Sequence, residues 1–128
     1  MSWIANGALS YLYTQQAREI TLERSTFSKP LHYPGDNVPG GVVLGRVTAT
    51  GRYGPYDPEA EDGREVAKGF LLSGAYFGPH PAHSGQPAPT ATATLLLAGF
   101  IHPAELPANN GLDAAARTAL RHIAFLDV

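Results

Sequence analysis

The side chains of this chain that could do chemistry near neutral pH are histidines and carboxylates, because its 128 residues include no cysteine. The histidines are His32, His80, His83, His102 and His122. His80 and His83 stand three apart in HPAH, which is half of a metal-binding pattern. Zinc wants three or four ligands, and the H-x-x-x-H pair works because a helix brings both rings to one face. Here Pro79 and Pro81 hold the backbone differently and no third ligand is spaced with the pair, so it reads as two solvated loop histidines. His122, on the expected helix, reads as a surface or helix-end residue. The acidic stretch DPEAEDG carries Asp57, Glu59, Glu61 and Asp62. Alternating oxygen ligands suit a calcium loop, but Pro58 and the position of Gly63 break that pattern and leave a solvated acidic turn. Paired carboxylates for glycoside hydrolysis need a cleft, which nothing in the sequence implies. The serines lie outside G-x-S-x-G and S-x-x-K contexts, and Gly40, Gly41 and Gly45 precede no Lys-Ser/Thr of a phosphate loop. No catalytic residue, metal, cofactor or small-molecule ligand is expected.

Aromatic side chains offer a different chemistry, that of an interface. Trp3, Tyr11 and Tyr13 crowd the start of the chain with Ile4, Leu9 and Leu12. Trp and Tyr are costly to expose together and are favoured where proteins meet. They cover either the domain's own core or a partner. The Pro/Gly-rich stretch 30–41 separates them from the rest and favours the partner.

Residue patterns set the elements that position these groups. In AREITLERSTF, Ile20 and Leu22 alternate with Glu19, Thr21 and Glu23, a period-2 strand signal. Residues 1–39 are therefore read as an N-terminal arm ending in prolines and glycines, and residues 40–128 as a β-rich domain. VVLGRVTAT reads as a strand with Gly45 marking a bulge or close backbone approach. GRYGPYDPEAEDG holds a tight turn and a loop. EVAKGFLLSGAYF reads as a second strand, GPHPAHSGQPAPT as a loop, and TATATLLLAGFI as a central strand because its second half is apolar on both faces. NNGLDAAARTALRHIAFLDV carries the one convincing helix, with Asp113 at its start and Leu112, Ala116, Leu120 and Ile123 on one face. AFLDV closes the chain as a short strand.

Composition narrows the function classes. The length fits one domain. Charged residues are 16%, low against roughly 25% for a typical soluble domain. A surface partly covered by another protein and a surface rich in Ser/Thr/Pro loops both account for this. The net charge of −2 and the absence of any run of basic residues argue against a nucleic-acid partner. No apolar run reaches the roughly 18 residues of a membrane span, and the N-terminus lacks a signal-peptide pattern. The lack of cysteine fits a reducing cytoplasm.

The segment GGVVLGRVTATGRYGPYDPEAEDGREVAKGFLL resembles the central signature of the tailed-phage head decoration proteins, the family of the phage lambda head decoration protein. The similarity lies in Gly-x-Val-Leu-Gly-x-Val-Thr at 41–48, Gly-x-Tyr at 51–53, Tyr-Asp-Pro at 56–58, Asp62-Gly63, and the Ala-x-Gly-x-Leu-Leu strand at 67–72. It continues in LLLAGFIHPAELPANNGLDAAARTALRHIAFLDV, and covers about the last two thirds of the chain. The resemblance implies a mainly β, compact β-clip-like decoration domain with one C-terminal helix and an extended N-terminal arm. It implies a virion protein, made in the host cytoplasm, that sits as a homotrimer on the outer surface of the expanded capsid and clamps neighbouring major capsid proteins. The loop 78–90 and the aromatic N-terminus depart from the family pattern.

On this reading the capsid-binding arm uses Trp3, Ile4, Tyr11, Tyr13, Arg18, Ile20, Leu22 and Arg24. Its strand would pair with a capsid strand edge by β-augmentation, with Ile20 and Leu22 facing the capsid. Deleting residues 1–25 is then expected to leave a folded domain. Two other functions compete: an adhesin or fibre module that binds carbohydrate or a host surface through loop 78–90, and a metal-dependent hydrolase using His80, His83 and a carboxylate.

Overall fold

The computed structural model describes residues 16–126. Its strands in chain order are β1 (Gln16–Glu23), β2 (Asn37–Val38), β3 (Val43–Arg46), β4 (Tyr53–Pro55), β5 (Ala67–Leu71), β6 (Ala75–Tyr76), β7 (Thr90–Ile101) and β8 (Ile123–Phe125). Two short α-helices, α1 (Lys29–His32) and α2 (Ala114–Ala119), and three single 3-10 turns complete the elements. The fold is mainly β, as the residue patterns predict.

β7 organises the molecule. It pairs antiparallel with β1 over eight positions, from Gln16 opposite Ala98 to Glu23 opposite Thr90. It also pairs antiparallel with β5 at Leu95 and Leu96, and in parallel with β8 at its C-terminal end. β5 continues to β3, β3 to β4, and β4 returns to β1 through a parallel contact of Leu22 with Tyr53. The pairings therefore run in a circuit, β1–β4–β3–β5–β7 and back to β1, with β8 added outside it. β2 and β6 form a separate two-stranded sheet.

The strand pleat explains why the middle of the chain is apolar without interruption. Successive side chains of a strand point to opposite faces. Val42, Leu44, Leu71 and Leu95 enter one buried cluster together with Ile20, Leu22, Phe27, Tyr33 and Phe77. Their immediate neighbours Val43, Phe70 and Leu96 enter a second cluster with Tyr56, Ala116, Leu120 and Ile123. β3, β5 and β7 are thus covered on both faces, the second by α2 and β8. Gly45 sits at a register shift between β3 and β5, and a Cβ there would lie 2.7 Å from Cα and O of Arg64. The close approach expected from its place in a strand is present.

The C-terminal helix is shorter than its sequence pattern. α2 has six residues and ends at Ala119 with Leu120 as its C-cap, after which Ile123 joins β8 while still facing the same cluster. Asp113 caps it: its Oδ1 accepts from the Ala116 N–H at 2.7 Å. The strand expected over residues 65–77 is divided into β5 and β6, and β3 stops at Arg46, where the chain turns back through Gly51 with φ of +75°. The Pro/Gly stretch holds only short elements, α1 with Pro30 in its first turn, where a missing N–H costs nothing, and the two-residue β2.

Candidate binding surface

Of the expected arm residues, Trp3, Ile4, Tyr11 and Tyr13 lie outside the described residues. Arg18 through Arg24 are described, and they correct the expected mode of binding. The alternation does make a strand, but its partner is β7 of the same chain. Ile20 is 7% exposed and Leu22 0%, both inside the first core cluster. Neither side chain can face another protein. Small residues on β7 make room for them: Ile20 stands opposite Ala93 and Leu22 opposite Ala91. Arg24 is half-buried, and its Nε donates to the Ala88 carbonyl at 3.0 Å while its N–H donates to that of Pro89. Among the four described arm residues, Arg18, Ile20, Leu22 and Arg24, only Arg18 is exposed. The expectation that removing residues 1–25 spares the fold is likewise replaced: that deletion would strip β1 from the circuit.

The basic residues also arrange themselves differently in space than in sequence. No run of them exists, yet Arg18, Arg46, Arg52 and Lys68 line one groove of about 830 Å³ with Tyr53 and Leu97 in its wall. They come from β1, the end of β3, the residue before β4, and β5, which the strand circuit makes neighbours. Arg52 is paired with Glu23 at the end of β1 at 2.8 Å, and its hydrogen bond holds the Glu23 carboxyl below the usual carboxylate range. Among the described residues, Arg18, Arg46 and Lys68 have no ion pair. Sequence reading missed this patch because each cation stands alone in its own strand.

The acidic loop is a built turn. Asp57 Oδ1 accepts from the Glu59 N–H at 2.9 Å, and Asp62 accepts from Arg64 Nε at 3.0 Å. The hydrogen bonds from Arg64, first the backbone one and then that of its side chain, hold Asp62 below its ordinary value. Glu65 Oε1 accepts from the Gly63 N–H at 2.9 Å. Glu59 and Glu61 are exposed.

The histidines are dispersed. His80 Nδ1 accepts from the Ala82 N–H at 3.1 Å, and the His80 and His83 rings stand 5.4 Å apart in the loop. Among the described residues no group of three or more His, Asp or Glu is placed to hold a metal. His32 Nδ1 accepts from the Ser28 N–H at 2.9 Å; burial, then the charge of Arg64, pushes its pKa down. Tyr56 donates to the Asp113 carboxylate at 3.1 Å, tying the chain just beyond β4 to the start of α2. Burial, then that carboxylate, pushes its phenol up. Loop 78–90 is closed by a bridge between Pro79 and Pro87, and most of it is exposed.

Compared with known families, the chain matches the model described as Bacteriophage lambda head decoration protein D over residues 6–123. No curated protein and no solved structure matches it.

Proposed function

Because the chain belongs to the bacteriophage lambda head decoration protein D family and is a structural protein of the phage head, we propose that it cements the expanded capsid from outside. Three copies gather as a trimer at a three-fold or quasi-three-fold position and bridge neighbouring major capsid subunits. The family match over nearly the whole chain carries this reading. Two features of the body support it. The five-strand circuit closes on itself, through Leu22 and Tyr53, and a closed circuit suits a stiff spacer. β1 is part of that body, so the segment left to grip a capsid subunit is residues 1–15, with Trp3, Ile4, Tyr11 and Tyr13 as anchors.

A ligand that binds only the assembled, expanded shell stabilises that state by mass action. Each N-terminal segment needs only modest affinity. Once one is seated, the other two bind within the same particle, and avidity exceeds single-site affinity by roughly 10²–10⁴. No side-chain charge on those fifteen residues opposes burial, since they contain no Lys, Arg, Asp or Glu.

The test is co-sedimentation with purified empty heads before and after expansion, using the full chain and a variant lacking residues 1–15. The full chain is expected on expanded heads only. The truncated protein is expected to keep its far-UV circular dichroism and to remain in the supernatant. Truncated protein that occupies expanded heads like the full chain would disprove the assignment of the grip to residues 1–15, and a full chain that ignores them would disprove the cementing function.

A further inference from the structure

Charge on this chain is segregated. Four of the nine basic residues line one groove beside β1, β3, β4 and β5. Its carboxylates are few: Glu19 lies in the lining, and Glu23 is committed to Arg52. Five of the eleven acidic residues fall within positions 57–65. There the backbone is fixed by Asp57, Asp62 and Glu65, each bonded within the turn, and by Gly63, whose φ of +116° suits glycine alone. Glu59 and Glu61 are exposed, and among the described residues they have no ion pair. One surface is therefore concave, with three cations that among the described residues have no ion pair against one carboxylate, Glu19; the other is a pre-shaped loop in which Arg64 is taken by Asp62 and Glu59 and Glu61 stay exposed.

A molecule with two such unlike surfaces can join copies head to tail, and contacts of that kind close into rings when the rotation between copies allows it. We propose that the groove rimmed by Arg18, Arg46 and Lys68 receives the acidic loop, through Glu59 and Glu61, of the next copy of this chain in the trimer. This rests on the trimeric reading above and names the surfaces that meet. The occupant is a second copy rather than the chain's own start, because residues 1–15 carry no carboxylate to offer the groove. Opposed charges give such a contact its register and reject the like-charged pairing of groove with groove. The partly buried Tyr53 and Leu97 supply an apolar wall beside the cations, and the stems of Arg and Lys can lie along it.

The test mixes ¹⁴N and ¹⁵N protein on expanded heads and adds a zero-length carbodiimide, which joins an amine to a carboxylate only in direct contact. Mixed-isotope peptides linking Lys68 to Glu59 or Glu61 are expected. The reversal Arg46→Glu with Lys68→Glu is expected to lower trimer occupancy about tenfold at fixed protein concentration. Adding Glu59→Lys and Glu61→Lys in the same chain is expected to restore it. All four positions are exposed, so the core is untouched and circular dichroism checks the fold. Lys68 joined to a capsid carboxylate instead, or full trimer occupancy by the double reversal, would overturn the inference while leaving the cementing function standing. Wild-type protein that never occupies heads would overturn both.

Discussion

Leu22 separates two accounts of the strand Gln16–Glu23: part of the body, or a hook offered to another protein. In the structure its side chain is fully buried, between Tyr53 of β4 and Ala91 of β7. Leu22→Ala removes three carbon atoms from a closed core. The transfer loss is roughly 0.8 kcal/mol per carbon, or about 2.4 kcal/mol. A residual cavity adds roughly 24 cal/mol per Å³, and the measured range for such changes is about 2–5 kcal/mol. Collapse should be limited here, because β1 is held by paired strands on both sides, so we expect about 3–4 kcal/mol. A domain of this size has on the order of 5–15 kcal/mol in total, so the variant loses a large share. Urea unfolding followed by circular dichroism gives the value directly, with an unchanged slope if the unfolded state is unaffected. Thr21→Ala, one residue away and exposed, is the control, expected within about 0.5 kcal/mol of the parent. If Leu22→Ala instead costs less than about 0.5 kcal/mol, the bound of ordinary surface changes, while head binding is lost, then the strand serves a partner and the packing argument is wrong.

Two further outcomes follow from the hydrogen bonding. Asp113→Ala removes both the cap on Ala116 and the acceptor of the buried Tyr56 hydroxyl, so the urea midpoint should fall by the equivalent of roughly 2–3 kcal/mol; a change under about 0.5 kcal/mol would show that α2 does not need its cap. His32 has its folded pKa depressed below the ordinary 6.5, chiefly by burial, so the unfolded chain binds more protons in the window just below that value. Stability should therefore fall as pH drops from 7 to 5, with Nδ1 unable to accept from Ser28 once protonated, and the melting temperature of His32→Asn should be flatter over that window.

Much of the body could be read from residue order. β3 and the close approach at Gly45 follow from a β-branched run interrupted by glycine, and the central place of β7 follows from leucines on both parities. Asp113 announces the helix start. Other features could not be read because they depend on who meets whom. The alternation of Ile20 and Leu22 says that one face of a strand will be covered and is silent on whether the cover belongs to the same molecule. The groove cations sit at 18, 46, 52 and 68, and only the order of strands around the circuit brings them together. The helical spacing from Leu112 to Ile123 overran the helix because Leu120 and Ile123 reach the same cluster from different backbone conformations, one at a helix end and one in β8.

The return of β4 to β1 has a consequence for a protein that coats a particle densely. Coating forces many identical β-rich molecules side by side, the condition under which unpaired strands seed fibrils. Here β3, β5 and β7 each pair on two sides, and among the described residues the strand edges left are short, those of β2, β6 and β8 and the part of β1 before Leu22, so crowding offers only short lengths of main chain for one molecule to recruit from the next. A layer built this way can be dense without becoming a template for its own aggregation.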